Sequence, residues 1–188
     1  MTTDMTAISK NVSLKDLASI VCSTLDESGI TAVLVGGGAV SIYSDNEYES
    51  YDLDFITTRT IDELSDALRP LGFTKDRTSR YFTHPETEIV LEFPSGVLAF
   101  GDTIASFEDT ATLDCPLGTI RVITPTQAIM DRLAAFIYWN DYQSREQAIL
   151  VARNNPVNWK ELYDWAETER VDSTIIDKFA AKVKSSKS

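Results

Sequence analysis

Cysteine is scarce in this sequence. Its 188 residues hold two, Cys22 and Cys115, with no CxxC spacing and no histidine pair beside them. That excludes a thiolate zinc site and points to two reduced thiols in a cytoplasmic protein. Histidine occurs once, at His84, within His84-Pro85-Glu86-Thr87, a predicted hairpin turn where the ring is expected to be exposed. No apolar run is long enough to span a bilayer. The opening MTTDMTAISKNVS lacks both a basic and an apolar segment, so no secretion signal is expected there. Positive charge is also short: 17 Lys and Arg stand against 29 Asp and Glu, a formal net charge of −12. Such a surface repels polyanions, which argues against general binding of RNA or DNA. The basic stretch at 178–188 is too short to reverse this and reads as a frayed, solubilising end. Internal repeats and low-complexity segments are absent.

What is present suits a folded domain: 43% of the residues are hydrophobic. The periodicity predicts a helix over 13–28, with Ser13 as N-cap and Leu14, Leu17, Ile20, Val21 and Leu25 on one stripe. A short apolar strand at 32–35 runs into Gly36-Gly37-Gly38 and then a two-turn helix at 39–43. After a polar loop comes a strand at 51–57, and Thr60 opens a helix with Glu63 placed for a capping box. Strands are expected at 72–75, 80–83 and 88–93, then a second hairpin at 110–114 and 119–123. The segment 97–104 reads as a loop. From Thr124-Pro125, a cap followed by proline at the first helical position, helices are expected over 125–139, 144–153, 158–167 and 173–183. The class is α+β: a mixed β-sheet core flanked by helices at 1–123, then a C-terminal helical layer at 124–188.

Several residues in this pattern can do chemistry. Asp52 and Asp54 alternate with Leu53 and Phe55, so a strand puts both carboxylates on one face. Paired carboxylates repel unless a cation lies between them, and an oxygen-seeking ion such as Mg2+ suits that place. Glu88, Val90 and Glu92 share a face of a later strand. If that strand neighbours 51–57, Glu92, flanked by Leu91 and Phe93, can supply a third ligand, while Glu88, nearer the turn, is expected to be exposed. Gly36, Gly37 and Gly38 permit close backbone approach to a phosphate, though a tight turn would use the same residues. They lack the Lys-Ser/Thr of a P-loop and the GxGxxG of a dinucleotide site. Arg132 falls in the apolar sector of its helix, with Ala128, Ala135, Phe136 and Trp139, and so needs an anionic partner: a bound triphosphate, or an ion pair with Asp141 or a sheet carboxylate. Arg80 and Lys75 read as solvated strand edges within reach of a phosphate, and Tyr138, Trp139 and Tyr142 as helix-spaced core aromatics.

Thirteen residues (39–51) separate Gly38 from Asp52. Gly-Gly at a helix start, Asp-hydrophobic-Asp a dozen residues on, and a lone acid on a later strand together resemble the nucleotidyltransferase superfamily of polymerase-beta-like fold. VGGGA (35–39), SYDLDF (50–55), TPTQAIMDRLAAFIYWND (124–141) and EQAILVA (146–152) look most like its abortive-infection toxin group, across roughly residues 15–155. The resemblance implies that Gly36 and Gly37 position the triphosphate of an NTP and that Asp52 and Asp54 hold two magnesium ions. Glu92 would complete the ligand set and help deprotonate the acceptor. Ser50 matches a serine beside the first acid, and Arg132 stands where relatives often have lysine. Tyr48 departs from the arginine common in the toxins, and Glu92 from the usual aspartate. The implied activity is Mg-dependent transfer of NMP to an acceptor hydroxyl on a protein, small molecule or tRNA, with a possible antitoxin partner. The alternative is an inactive relative that serves as a nucleotide- or protein-binding module.

Overall fold

A computed structural model describes residues 8–186. The chain divides into two compact units. Among the described residues the first comprises 8–38, 49–97 and 110–122, and the second 39–48, 98–109 and 123–186.

The first unit is built on a seven-stranded sheet. Its strands are β1 (Ala32–Val35), β2 (Asp52–Thr57), β3 (Thr74–Lys75), β4 (Tyr81–His84), β5 (Thr87–Glu92), β8 (Ala111–Cys115) and β9 (Gly118–Val122). Their order is β3-β4-β5-β2-β1-β9-β8. The β2–β5 and β1–β9 pairs are parallel and the others antiparallel. Helix α1 (Leu14–Glu27) opens on a Ser13 cap that accepts from the Asp16 N–H, and its stripe of Leu17, Ile20, Val21 and Leu25 is buried. Helix α3 (Ile61–Leu68) opens on the capping box of Thr60 and Glu63 and runs into a 3-10 turn at Arg69–Leu71. Along β2, Leu53 and Phe55 are fully buried while Asp52 and Asp54 are half-buried. This is the two-residue period of a strand with one core face. His84 is not exposed as its turn position suggested: its Nε2 lies 3.0 Å from the Leu71 carbonyl oxygen and its ring tilts against Phe73.

The second unit takes the later residues of α2 (Gly36–Tyr43), then α4 (Pro125–Trp139), α5 (Tyr142–Asn154), α6 (Trp159–Thr168) and α7 (Ser173–Ser186). The segment expected as a loop at 97–104 carries a two-stranded hairpin, β6 (Ala99–Phe100) and β7 (Thr103–Ile104). Two polar links hold it, the first of them buried. The Trp165 indole N–H donates to the Phe100 carbonyl at 2.9 Å. The Asp102 N–H donates to both Glu169 carboxylate oxygens at 3.1 and 3.0 Å, joined by the Thr103 and Tyr138 hydroxyls. The expectation of a frayed basic end fails over its described part: α7 runs to Ser186 with Phe179 and Val183 buried. An amphipathic face that packs overrides the local charge. Lys187 and Ser188, like 1–7 of the opening segment, lie outside the described residues.

Glu169 makes the acid sensitivity of this unit predictable. Burial raises its pKa, but the donated hydrogen bonds outweigh burial and hold the carboxyl below its ordinary value. The same bond pushes the Tyr138 hydroxyl up to about 12. A depressed acid contributes stability that is present above its unfolded pKa and lost as pH falls through the folded one. Glu169→Gln should therefore melt about 2–4 °C lower at neutral pH, roughly 1 kcal/mol for partly exposed charged hydrogen bonds. The gap from wild type should close below about pH 4. Melting curves over pH 3–7 check both.

Candidate metal and phosphate site

Strand pairing brings the acidic residues together. β1 and β2 run antiparallel with Val35 opposite Asp54, and β2 and β5 run parallel with Asp52 opposite Val90 and Asp54 opposite Glu92. Carboxylate oxygens of Asp52, Asp54 and Glu92 consequently lie within 4.8 Å of one another, and all three side chains are half-buried. Among the described residues they are the one group of His, Cys, Asp and Glu side chains with this spacing. Glu88 is exposed and outside it.

The donor set fits a hard divalent cation. All three ligands are carboxylate oxygens, which suit Mg2+ or Ca2+ and not the soft metals that prefer sulfur. The Ser50 hydroxyl donates to Asp52 Oδ1 at 2.6 Å, which orients that carboxylate.

The glycines form the first turn of α2, not a turn ahead of it. Gly36 has φ +64°, and a Cβ there would stand 2.7 Å from Asp54 Oδ2. A Cβ at Gly38 would meet the Leu53 and Leu34 side chains at 3.1 and 3.2 Å. Gly36 and Gly38 are buried and Gly37 is half-buried. The start of α2 therefore lies against the acidic group, with the Asp54 carboxylate beside Gly36.

Arg80, expected as a solvated strand edge within reach of a phosphate, is exposed and also meets the acidic group. Its Nε lies 3.3 Å from Glu92 Oε1; Glu92 is 14% exposed and Arg80 69%. Across the antiparallel β4–β5 pair, Tyr81 faces Glu92, which puts the preceding arginine at the carboxylate. The Arg80 pKa is raised first by its hydrogen bond to the Tyr81 hydroxyl and then by the charges of Glu92 and Asp54. Glu92 also borders an open cleft of about 470 Å³ lined by Lys75, Arg80 and Ser95. Lys75 is engaged with the 76–79 loop, donating to the Ser79 carbonyl at 2.5 Å.

Arg132 belongs to the second unit. It is 19% exposed, pairs with the adjacent Asp131 at 2.6 Å and reaches Gln147 Oε1 at 3.4 Å. Its ion-pair partner is thus Asp131 and not Asp141, whose carboxylate caps α5 through Gln143 and Ser144. Trp139 and Tyr142, expected in the core, are 73% and 61% exposed.

No family model matches the sequence, and no curated protein matches it. Several solved structures are similar, two of which follow. One is an antigenic nucleotidyltransferase-like protein from Paracoccidioides brasiliensis, with TM-score 0.55 and 14% identity over 77% of this chain and 76% of that one. The other, the antibiotic-resistance factor ANT(2'')-Ia, has TM-score 0.49 and 16% identity over 89% and 93%. The fold is nucleotidyltransferase-like: a mixed sheet flanked by helices. No helix among the described residues is long and apolar enough to cross a membrane.

Proposed function

We propose that this chain is a magnesium-dependent nucleotidyltransferase that moves NMP from an NTP to an acceptor hydroxyl. The observation that carries this reading is the meeting of Asp52, Asp54 and Glu92 at the glycine-rich start of α2. Asp52 and Asp54 hold the cation, with Ser50 orienting Asp52. Magnesium, when bound, supplies neutralisation of the phosphate charge and activation of the attacking oxygen. The N–H groups at Gly36 and Gly37 receive phosphate oxygens. Glu92 serves as the third ligand and takes the proton of the acceptor hydroxyl. The acceptor oxygen bonds to the α-phosphorus as the bond to the pyrophosphate oxygen breaks, and pyrophosphate leaves. Positioning and charge neutralisation do most of the work.

The acidic surface favours a protein or small-molecule acceptor over tRNA. A toxin-like role with an antitoxin partner rests on the sequence motifs. A cytoplasmic location rests on Cys22 and Cys115, both free thiols. The Cys22 thiol is pushed up to about 12 by burial, which keeps it unreactive.

One observation favours the alternative of a binding module: Glu92 already has a counter-ion in Arg80. Melting temperature with NTP and Mg2+, together with pyrophosphate release, separates the two readings. The enzyme reading expects stabilisation by the pair, reversed by EDTA, and pyrophosphate released with a suitable acceptor. Stabilisation without turnover across NTPs and acceptors would support the module, and no stabilisation by any NTP would overturn both. Arg80→Gln, which frees Glu92, should tighten Mg2+ binding if the guanidinium competes for the carboxylate.

A further inference from the structure

The second unit contains an open cleft of about 390 Å³ between α4, α5 and α7. That volume lies at the low end of the roughly 300–1,000 Å³ typical of small-molecule sites. Its floor is buried and apolar: Leu133 from α4, Ile149 from α5 and Phe179 from α7. Phe136 and Tyr142 form one wall, their ring centroids 5.4 Å apart and edge-on. The Arg145 guanidinium stands over both rings, 5.3 Å from the first centroid and 5.6 Å from the second.

The rim is cationic in a chain where acids outnumber bases. Arg145, Lys178 and Lys182 all line the cleft. Two carboxylates face them. Glu146 pairs with Arg145 at 2.8 Å and with Lys182 at 3.0 Å. Asp172 feels the charge of Lys178 but, among the described residues, no carboxylate lies within ion-pair distance of Lys178. Arg145 and Lys182 share Glu146 while Lys178 has no such pair among the described residues, which leaves positive charge on α7, where Lys178 and Lys182 stand one helical turn apart above an apolar floor. A cleft closed only by lysine stems would bury its apolar surface beneath them. Here the mouth of the cleft stays open instead, beside the Phe136–Tyr142 wall, and the floor lies buried at its base.

We propose that this cleft binds a small organic anion with an apolar body. Its acid group is held by Lys178 and Lys182, and its body lies against Phe136, Tyr142 and Leu133. The charge complementarity of the rim selects the anion, and the aromatic wall selects the apolar part. This inference does not depend on the carboxylate group of the first unit.

The test uses the full chain and two fluorescent probes of similar shape, anionic 1-anilinonaphthalene-8-sulfonate and uncharged N-phenyl-1-naphthylamine. The anionic probe should bind one equivalent per folded chain, raise the melting temperature, and be displaced by decanoate. Lys178→Glu with Lys182→Glu should weaken it by about tenfold or more through charge reversal, while leaving the neutral probe unchanged. Lys178→Gln, which leaves the Glu146 pair with Lys182 in place, should weaken it less and serves if the double variant fails to fold. The proposal is overturned if the anionic probe does not saturate at one equivalent, if it lowers the melting temperature, or if the lysine variants bind it as wild type does.

Discussion

Asp52→Asn combined with Asp54→Asn is expected to leave the chain folded and to remove the proposed cation-dependent nucleotide chemistry. Asparagine keeps the size of aspartate and an oxygen for the Ser50 hydroxyl, so the local hydrogen bond at 2.6 Å has an acceptor in the variant. The substitutions remove two of three negative charges whose oxygens lie within 4.8 Å of one another. Relief of that repulsion should leave the melting temperature in metal-free buffer unchanged or slightly raised. In NTP and Mg2+ the wild type should gain stability by mass action and the double variant should not. Activity should fall by at least about 10³-fold, since loss of one electrostatic contact to a transition state already costs about 10²–10³. Thermal melts with and without Mg2+, alongside pyrophosphate release, read both effects. If the double variant unfolds, the carboxylates are structural, and the proposed chemistry loses its centre.

The second large effect is expected at Gly36. Gly36→Ala must place a Cβ 2.7 Å from Asp54 Oδ2 on a backbone with φ +64°. The left-handed backbone alone costs about 1–2 kcal/mol for an L residue. The contact adds to this, because the carboxylate must move out of the position that β1–β2 pairing gives it. A combined loss of about 2–4 kcal/mol, near 5–12 °C in melting temperature, follows for a chain of this size. Gly29→Ala separates the two contributions: its φ is +70° and nothing lies within 4 Å of its Cβ position. Gly29→Ala should therefore show the backbone cost by itself. The excess at Gly36 measures the contact, and it should come with weaker divalent-cation binding. Equal losses at the two positions would show that Asp54 yields freely and that the close approach has no consequence for the site.

Much of this site is legible in the sequence because its rules are local. Asp52 and Asp54 share a face because strands have a period of two, and Leu53 and Phe55 show which face is buried. Thr60 with Glu63, and Thr124 with Gln127, form capping boxes where the side-chain spacing allows them. The glycine triplet announces a special backbone but not its form. It is the first turn of a helix, and only the antiparallel register of β1 and β2 shows that Gly36 meets Asp54. The resemblance read from the motifs names the abortive-infection toxin group, whereas the structural similarity supports the fold alone.

Where local rules compete with packing, packing decides. The basic 178–184 segment reads as a solvated tail by charge, yet Phe179 and Val183 bury one face of α7. Trp139 and Tyr142 have helix-core spacing and are exposed, because α4 ends at Trp139 and α5 begins at Tyr142. His84 sits at a hairpin turn and is drawn inward by the Leu71 carbonyl and the Phe73 ring, residues brought there by β3 pairing with β4.

By itself the sequence determined the acidic character of the chain, its α+β class, the capped helix starts, and the common face of Asp52 and Asp54. Each follows from residue type and a spacing of two to four positions, interactions that form within one element. The tertiary structure alone decided that β2 and β5 run parallel with Asp54 opposite Glu92, and that Arg80 reaches that glutamate. It also decided that α4, α5 and α7 leave a cation-rimmed cleft. Those arrangements depend on which strands and helices become neighbours, a choice made by burying the whole apolar surface at once, which no local window of residues contains.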